Sequence, residues 1–286
     1  MRSILFLLCL ALFPSVASAE SSPGYKSIEV APGITMLNSG AGFPFNNVGL
    51  LIGTERIVLI DDGVEQLGPE LLEITARLAG RPADFVINTH LHGDHTGSNA
   101  LLSAEGAIII AHDNVRSRMA DSNKEGAALP ILTFSEEVTL HINGLEARVF
   151  HVESAHTDGD AVIHFPTANV IQTGDAMFHH MFPFIDLDNG GTVNGYIASQ
   201  QALLELADEN TVIMPGHGEL ASKADLGRDL EVLIDSKKRV QVLLDKGMSE
   251  AEIVEANPLA IYHEGWTWGF ITTEKMTRTL VRGLIQ

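Results

Sequence analysis

The stretch Thr89-His90-Leu91-His92-Gly93-Asp94-His95-Thr96-Gly97 places three histidines and one aspartate within six consecutive positions. It follows the run Phe85-Val86-Ile87-Asn88, whose β-branched and aromatic residues predict a buried strand. Gly93 and Gly97 bracket a predicted tight turn, because glycine adopts backbone angles that other residues avoid. Imidazole and carboxylate donors together suit a metal ion such as Zn²⁺. The stretch therefore predicts a buried strand that ends in a metal-binding turn.

Three further donors, His156, Asp175 and His217, lie later in the chain. Each follows a predicted strand and has glycine close by, which predicts a position just beyond a strand end, where loops converge on a site. With the first stretch they make five histidines and two aspartates. That set is too large for one tetrahedral zinc and suits two metals that share a carboxylate.

Strand and helix patterns alternate along the chain. Residues 47–52 and 56–60 predict a hairpin, residues 67–79 a helix, and residues 113–119 a short helix capped by Asp113. Strands dominate residues 138–173, and long amphipathic helices follow from residue 195 onward. The alternation predicts an α/β fold in which sheets pack between outer helices.

Residues 1–19 predict a signal peptide. Arg2 precedes an apolar segment, residues 4–13, that is too short to span a bilayer, and Ala17-Ser18-Ala19 is a small-residue cleavage site. We therefore expect residues 20–286 to form one exported domain, periplasmic or secreted, with no stable membrane anchor after cleavage. The single cysteine, Cys9, lies in this segment, so the mature chain offers no disulfide and no thiolate ligand.

The chain is strongly acidic, with 18 Lys+Arg against 37 Asp+Glu and a formal net charge of −19. An acidic surface repels phosphate backbones, so this composition argues against nucleic acid as a partner. The expected partner is a small-molecule substrate. The sequence does not determine the oligomeric state.

The order of the donors resembles that of the metallo-β-lactamase superfamily over about residues 25–285. The donor set is His90, His92, Asp94, His95, His156, Asp175 and His217. Asp61, at the end of a predicted strand, resembles the first motif of that family and would support the ligands from behind. The resemblance implies an αββα sandwich of two mixed β-sheets with outer helices, and a two-metal site at one edge.

The resemblance also implies a role for each donor. His90, His92 and His156 would hold the first metal. Asp94, His95 and His217 would hold the second, and Asp175 would bridge both. It implies two Zn²⁺ per chain, with iron or manganese as alternatives, and a metal-bridging hydroxide that attacks a lactam, lactone, ester or thioester carbonyl. Asp94 would orient that hydroxide as a catalytic residue.

Asp175 narrows the position of this chain within the family. The zinc β-lactamases that use a cysteine ligand carry that cysteine where this chain has Asp175. In this respect the chain resembles glyoxalase II, lactonases and other dinuclear hydrolases. The only basic cluster, Lys237-Lys238-Arg239, lies in an acid-rich helix and does not resemble a glutathione site. Three alternatives stay open: a true β-lactamase, an iron-dependent sulfur dioxygenase-like oxidoreductase, and a non-catalytic metal-binding protein.

Other polar and aromatic residues near these motifs have two interpretations. His179 and His180, close after Asp175, would either contact substrate or support the ligands, or else sit in an apolar turn. Four aromatic residues would either line a hydrophobic mouth of the site or fill the core. The core is favoured because aromatic side chains fill cores first. These residues are Phe182, Phe184, Trp266 and Trp268. Five other histidines have no matching partners and are predicted to be surface or strand residues: His112, His141, His151, His164 and His263.

Overall fold

A computed structural model describes residues 21–22, 24–40, 46–122 and 126–285, and the predicted signal peptide lies outside this part of the chain. The strands are β1 (Ser21–Ser22), β2 (Tyr25–Ala31), β3 (Ile34–Asn38), β4 (Asn47–Leu51), β5 (Val58–Ile60), β6 (Phe85–Ile87), β7 (Ile108–His112), β8 (Leu132–Phe134), β9 (Glu137–Ile142), β10 (Leu145–His151), β11 (Ala161–Phe165), β12 (Val170–Phe178) and β13 (Val212–His217). The α-helices are α1 (Gly68–Ala79), α2 (Gly93–Thr96), α3 (Asn99–Ala104), α4 (Asp113–Asp121), α5 (Val193–Leu206), α6 (Lys223–Leu244), α7 (Glu250–Ala256), α8 (His263–Trp266) and α9 (Thr273–Ile285). Short 3₁₀ turns occur at Glu65–Leu67, Gly126–Ala128, Leu187–Asn189 and Ala260–Tyr262.

The strands form two mixed sheets. The first contains β1 to β8 in sequence order, antiparallel up to β5 and parallel from β5 to β8. The second has the order β13-β12-β11-β10-β9 and is antiparallel except for the parallel pair β12–β13. The predicted hairpin of residues 47–60 is confirmed as the antiparallel pair β4–β5.

Strand alternation divides the apolar residues of each sheet between its two faces. In β5, Ile60 faces the second sheet and packs in one core with Val149 and Ile163. Its neighbour Leu59 points to the opposite face and packs with Leu71 of α1. The two sheets therefore enclose an apolar central layer.

Helices cover the outer face of each sheet. Ile74 of α1 packs on the first sheet. On the second sheet, Ile171 packs with Leu203 of α5 and Leu226 of α6. The predicted αββα sandwich with outer helices is confirmed. No helix in the described ranges is both long and apolar enough to cross a bilayer.

One local prediction was wrong, and one strand was not predicted. Asp113 does not cap α4; His112 does, because its Nδ1 accepts the Asn114 amide at 3.2 Å while its backbone stays extended. The edge strand β8 was not predicted. Its three residues are held by pairing with β7, and two of them are exposed, so the run carries no amphipathic pattern.

Candidate metal centre

The histidine-rich stretch follows β6 and contains one turn of helix. His92 has extended backbone angles (φ −68°, ψ 152°) and directly precedes α2, so Asp94 and His95 lie in that helical turn. The Asn88 side-chain amide donates to the His95 carbonyl at 3.0 Å. The predicted tight turn is thus a short helix, which the Asn88 side chain ties to the end of β6.

Three imidazoles converge beside this helix. His92 Nδ1 lies 3.2 Å from His90 Nε2 and 2.9 Å from His156 Nε2. Asp175 Oδ2 lies 3.4 Å from His156 Nε2 and 3.6 Å from His90 Nε2. These four side chains offer donor atoms that all lie within 4.8 Å of one another, so they can surround a single cation.

A second group consists of Asp94, His95 and His217, again with donor atoms within 4.8 Å of one another. His217 Nε2 lies 3.4 Å from Asp94 Oδ2. The remaining oxygen of Asp175, Oδ1, lies 3.2 Å from His95 Nε2 and 3.4 Å from His217 Nε2. The two oxygens of Asp175 therefore face different groups, an arrangement in which one carboxylate can serve two cations. We call the seven side chains of both groups the metal centre.

Asp61 supports imidazoles of both groups from behind. His95 Nδ1 donates to Asp61 Oδ2 at 2.8 Å, and the Thr89 hydroxyl donates to the same oxygen at 2.9 Å. Because that hydroxyl proton is used, Thr89 Oγ1 accepts from His90 Nδ1 at 3.1 Å. Asp61 is completely buried and has a positive φ of 63°. These bonds fix which ring nitrogen faces the centre.

Asp186 has a similar position, which the sequence analysis missed. His92 Nε2 donates to Asp186 Oδ2 at 2.9 Å, and His156 Nδ1 donates to the Phe184 carbonyl at 2.7 Å. Asp186 Oδ1 also accepts two backbone amides, from Asp188 and Asn189, at 3.1 Å each. The only sequence signal at Asp186 is that of a turn cap, which conceals its contact with a distant histidine.

Two of the donors lie within strands, and not beyond strand ends as predicted. Strand β12 passes through Asp175, and β13 ends on His217 itself. Pairing between the two strands shifts register at Gly174, which has φ 49°, and resumes at the pair Phe178–His217. A Cβ at Gly216 would collide with Asp175 Oδ1. The irregular pairing therefore makes room for the carboxylate between two strands.

Burial keeps part of the first group neutral. It lowers the pKa of His90 well below the usual range, and it lowers the pKa of His156 to about 4. Both imidazoles are therefore uncharged at pH 7, which is the form that binds a cation.

Carboxylates dominate the second group. Burial alone would lower the pKa of His95 and His217, but Asp175 and neighbouring carboxylates outweigh burial. The pKa of His95 therefore lies well above its usual range, and that of His217 is raised to about 9. The imidazoles in turn overcome the effect of burial on Asp175 and hold its pKa well below the usual range. Without a metal, protons thus provide the positive charge that this group attracts, and a metal would displace them.

The donor set fits two divalent cations. His95 Nε2 and Asp175 Oδ1 are buried, and neither makes a hydrogen bond within the described part of the chain, although they lie 3.2 Å apart. Unpaired buried polar atoms are costly unless a ligand or ion satisfies them. Five imidazoles and two carboxylates are nitrogen and oxygen donors of the kind that zinc, iron and manganese accept.

A cavity of about 440 Å³ opens onto the metal centre. Its floor includes His92, Asp94, Asp175 and His217. Its sides carry a group of aromatic rings that we call the aromatic wall. The aromatic wall consists of Phe178, Phe184, Trp268 and Phe270. The volume lies within the range of small-molecule sites.

The predicted mouth residues separate in the structure. Phe184 and Trp268 line the cavity, whereas Phe182 and Trp266 line a smaller hollow behind it. His179 and His180 do not line the cavity either. His179 Nδ1 donates to the Glu219 carbonyl at 2.9 Å, and the ring of His180 lies 5.0 Å from that of Trp266. The predicted substrate contact for this histidine pair therefore has no support in the geometry.

Fold and site together define a class of protein: an αββα sandwich with a histidine–aspartate metal centre built from strands β12 and β13 and from the segments that follow other strands. The sequence model of the metallo-beta-lactamase superfamily matches residues 41–217. The chain belongs to this superfamily and is a metal-dependent hydrolase.

Individual relatives agree with this assignment. The chain is 29% identical over 157 residues to a hydroxyacylglutathione hydrolase of Polaromonas sp., a match that covers 54% of this chain but only 56% of that protein. It is 24% identical over 197 residues to a metallo-beta-lactamase type 2 of Bacillus cereus, covering 68% of this chain and 75% of that protein. A solved metallo-beta-lactamase from Pontibacter korlensis shares the fold, with a TM-score of 0.67, 18% identity, and coverage of 74% of this chain and 99% of that one.

Proposed function

We propose that the chain is an exported, dinuclear zinc-dependent hydrolase that cleaves a lactam, lactone, ester or thioester. One observation carries the proposal. The two oxygens of Asp175 face two separate donor groups, at 3.2–3.6 Å from two imidazole nitrogens in each. A shared carboxylate of this kind suits a pair of cations better than a single ion.

In this proposal the ligands are those that the sequence predicts. His90, His92 and His156 would hold one cation. Asp94, His95 and His217 would hold the other, and Asp175 would serve both. Such cations, when bound, activate water at neutral pH and polarise a carbonyl oxygen.

The remaining steps belong to side chains of the protein. Burial favours a protonated Asp94, but His95 and His217 outweigh burial and lower its pKa, so the carboxylate stays ionised at the cavity floor. It can accept a hydrogen bond from the attacking water and orient that water toward the substrate. The aromatic wall gives the same cavity an apolar side that can contact a substrate.

Metal analysis combined with a substrate panel tests this proposal. Purified protein should contain about two zinc ions per chain, as a shared-carboxylate site implies. It should hydrolyse at least one member of a panel of lactams, lactones, esters and thioesters, and lose that activity with a chelator. Stoichiometric iron without zinc would instead favour the sulfur dioxygenase-like alternative. A full metal load with no turnover on the panel would contradict the hydrolase.

A true β-lactamase is the second candidate, since relatives with that activity in their names match two thirds of the chain. Turnover of a chromogenic lactam at rates comparable with the best ester or thioester would support it. No lactam turnover at micromolar enzyme would remove it.

Export is tested separately. Expression of the full chain in a bacterial host should release a periplasmic or secreted protein that begins at Glu20, as determined by mass spectrometry of the mature N-terminus. A full-length cytoplasmic product would contradict this part of the proposal.

A further inference from the structure

The aromatic wall and the rim of the cavity bear on which carbonyl compounds the site accepts. We propose that the substrate is an ester, thioester or lactone whose acyl group ends in an uncharged aromatic or aliphatic group, and that an acyl group ending in a carboxylate is disfavoured. This inference rests on the hydrolase function proposed above and narrows its substrate class.

The aromatic wall forms one continuous surface above the metal centre. The ring of Phe178 stacks on His217 at 4.9 Å between centroids, and Trp268 lies 5.8 Å from both Phe178 and Phe270. Phe270 in turn lies 5.2 Å from Phe184. Rings spaced in this way can receive a further ring in edge or offset contact. An apolar acyl group would therefore find contacts along the whole path away from the floor.

Two hydrogen bonds position Trp268 within this surface, which otherwise packs in an apolar cluster. Trp268 Nε1 donates to the Phe182 carbonyl at 2.8 Å, and the Phe182 amide donates to the Trp266 carbonyl at 2.8 Å. The segment that carries Trp268 is thereby tied to the segment after β12. The indole N–H is already used, so the aromatic wall presents ring faces and edges to a ligand and not this polar donor.

The charges around the cavity disfavour a distal carboxylate. Among the described residues, no lysine or arginine lines it, and Glu65 at the rim is an exposed acid. A carboxylate that enters such a surface loses hydration without gaining a cation. Cations at the floor would attract any nearby anion, so the selectivity concerns the far end of the acyl group, which meets the aromatic wall and the rim.

The nearby cation Lys275 does not provide a partner for a carboxylate in the cavity. Its ammonium lies 3.2 Å from the centroid of Phe270 and 5.4 Å from that of Phe184, in contact with their rings. The side chain lines a neighbouring groove and not the cavity. In that groove Arg278 and Arg282 pair with carboxylates of their own. The basic groups thus lie behind the aromatic wall.

Thioesters of glutathione and most β-lactam antibiotics carry their carboxylates on the leaving-group side of the bond that is cleaved, so a preference on the acyl side neither includes nor excludes them. A neutral thioester or lactone with a phenyl or alkyl acyl group matches the cavity better than one whose acyl group ends in a carboxylate.

Two thioesters that differ only in distal charge provide the test. They are the N-acetylcysteamine thioesters of phenylacetic acid and of 4-carboxyphenylacetic acid. For the zinc-loaded full-length mature protein, kcat/KM should be about tenfold or more higher for the neutral thioester, mainly through KM, because the carboxylate is desolvated without a partner. Equal or faster turnover of the anionic thioester would overturn the inference.

A charge reversal at the rim sharpens the test. Glu65→Lys should reduce the neutral-to-anionic ratio of kcat/KM by about threefold or more, since it places a cation near the distal carboxylate. Glu209→Lys is the matched control. Glu209 is exposed in the turn before β13, at the end of that strand opposite His217, and its substitution should leave the ratio unchanged. An equal change in both variants would mean that net charge, and not the rim, sets the preference.

Lys275→Met tests the competing assignment. If Lys275 turned into the cavity and paired with a substrate carboxylate, this variant would slow the anionic thioester alone, and the inference would be wrong. We expect the ratio to stay the same.

Binding gives a readout that does not depend on turnover. Phenylacetamide should quench the tryptophan fluorescence of the metal-free protein more strongly than 4-carboxyphenylacetamide at equal concentration, and Trp268→Phe should remove most of that quenching. Absence of any hydrolysis by zinc-loaded protein, with this binding difference intact, would refute the proposed function and leave the ligand preference standing. Hydrolysis without charge preference would refute the inference alone.

Discussion

The metal centre and the aromatic wall share one cavity but are held in place by different forces. Every imidazole of the first group has a hydrogen-bond acceptor behind it, from Thr89, Asp186 or the Phe184 carbonyl. The rings of the aromatic wall are held mainly by packing on α6, α7 and α9 in an apolar cluster. The metal centre is thus built for fixed donor geometry, and the aromatic wall for shape. Substitutions in the two regions should therefore have different consequences.

The largest effect should come from Asp175→Ala. This change removes the oxygen donors common to both groups, so metal content should fall and kcat/KM should drop by about a thousandfold or more, equivalent to the several kcal/mol that metal ions contribute. Metal analysis and steady-state kinetics measure it, with circular dichroism to check the fold. Full metal load and activity in this variant would contradict the shared-carboxylate site.

The next effect should come from Asp186→Asn. An asparagine can keep the turn-capping bonds but loses the negative charge that orients His92, so the dissociation constant for zinc should rise by about 10–100-fold. Competition with a chelating dye measures it. Asp188→Asn is the control, because Asp188 is exposed, two positions away, and pairs with Arg282. Equal losses in both variants would show that the turn, and not the contact with His92, matters.

Phe270→Ala should have a smaller effect and of a different kind. Loss of one partly buried ring from the aromatic wall should lower kcat/KM for a phenylacetyl thioester by about tenfold, mostly through KM, since about 1.5 kcal/mol of apolar contact is removed. Zinc content should stay that of the unmodified protein. A loss of metal in this variant would mean that the two regions are not separable.

The smallest effect on activity should come from Asp229→Asn, which instead changes stability. Burial raises the pKa of Asp229 to about 7, so between about pH 4 and pH 7 the folded protein binds more protons than the unfolded chain. Stability contributed by this group is therefore present at low pH and is lost as pH rises. As pH rises from 5 to 8, the free energy of unfolding of the variant should increase by about 2 kcal/mol relative to that of the unmodified protein. A displaced pKa contributes roughly 1.4 kcal/mol for each pH unit of its displacement.

Urea denaturation at pH 5 and pH 8 measures this difference. Asp245→Asn, at the exposed end of the same helix, should not reproduce it. A gain of the same size at both pH values would show that Asp229 does not titrate across this range.

Much of the fold and of the donor set was predictable because both depend on local patterns. The run before Asn88 identified a buried strand by its residue types, and the spacing of His90, His92, Asp94 and His95 pointed to metal-binding chemistry. Both sheets and the outer helices follow from alternation and helical periodicity. The capping boxes at Ser222 and Ser249 are likewise visible in the sequence and open α6 and α7.

The remaining features depend on pairing between distant segments. Asp175 lies inside β12 because the register with β13 shifts at Gly174, and no local pattern encodes that shift. His112 replaced Asp113 as a cap for a similar reason, since the backbone angles at the end of β7 decided which side chain reaches the helix.

The sequence by itself thus determined the chemistry of the site: seven nitrogen and oxygen donors, two sheets to carry them, and no cysteine in the predicted mature chain. Only the tertiary structure decided which oxygen of Asp175 faces which group, that Asp186 holds His92 across 94 positions, and that Phe270 lines the cavity while Phe182 does not. The physical reason is that donor type belongs to each residue, whereas distance and orientation depend on how sheets and helices pack, and that is set by contacts over the whole chain.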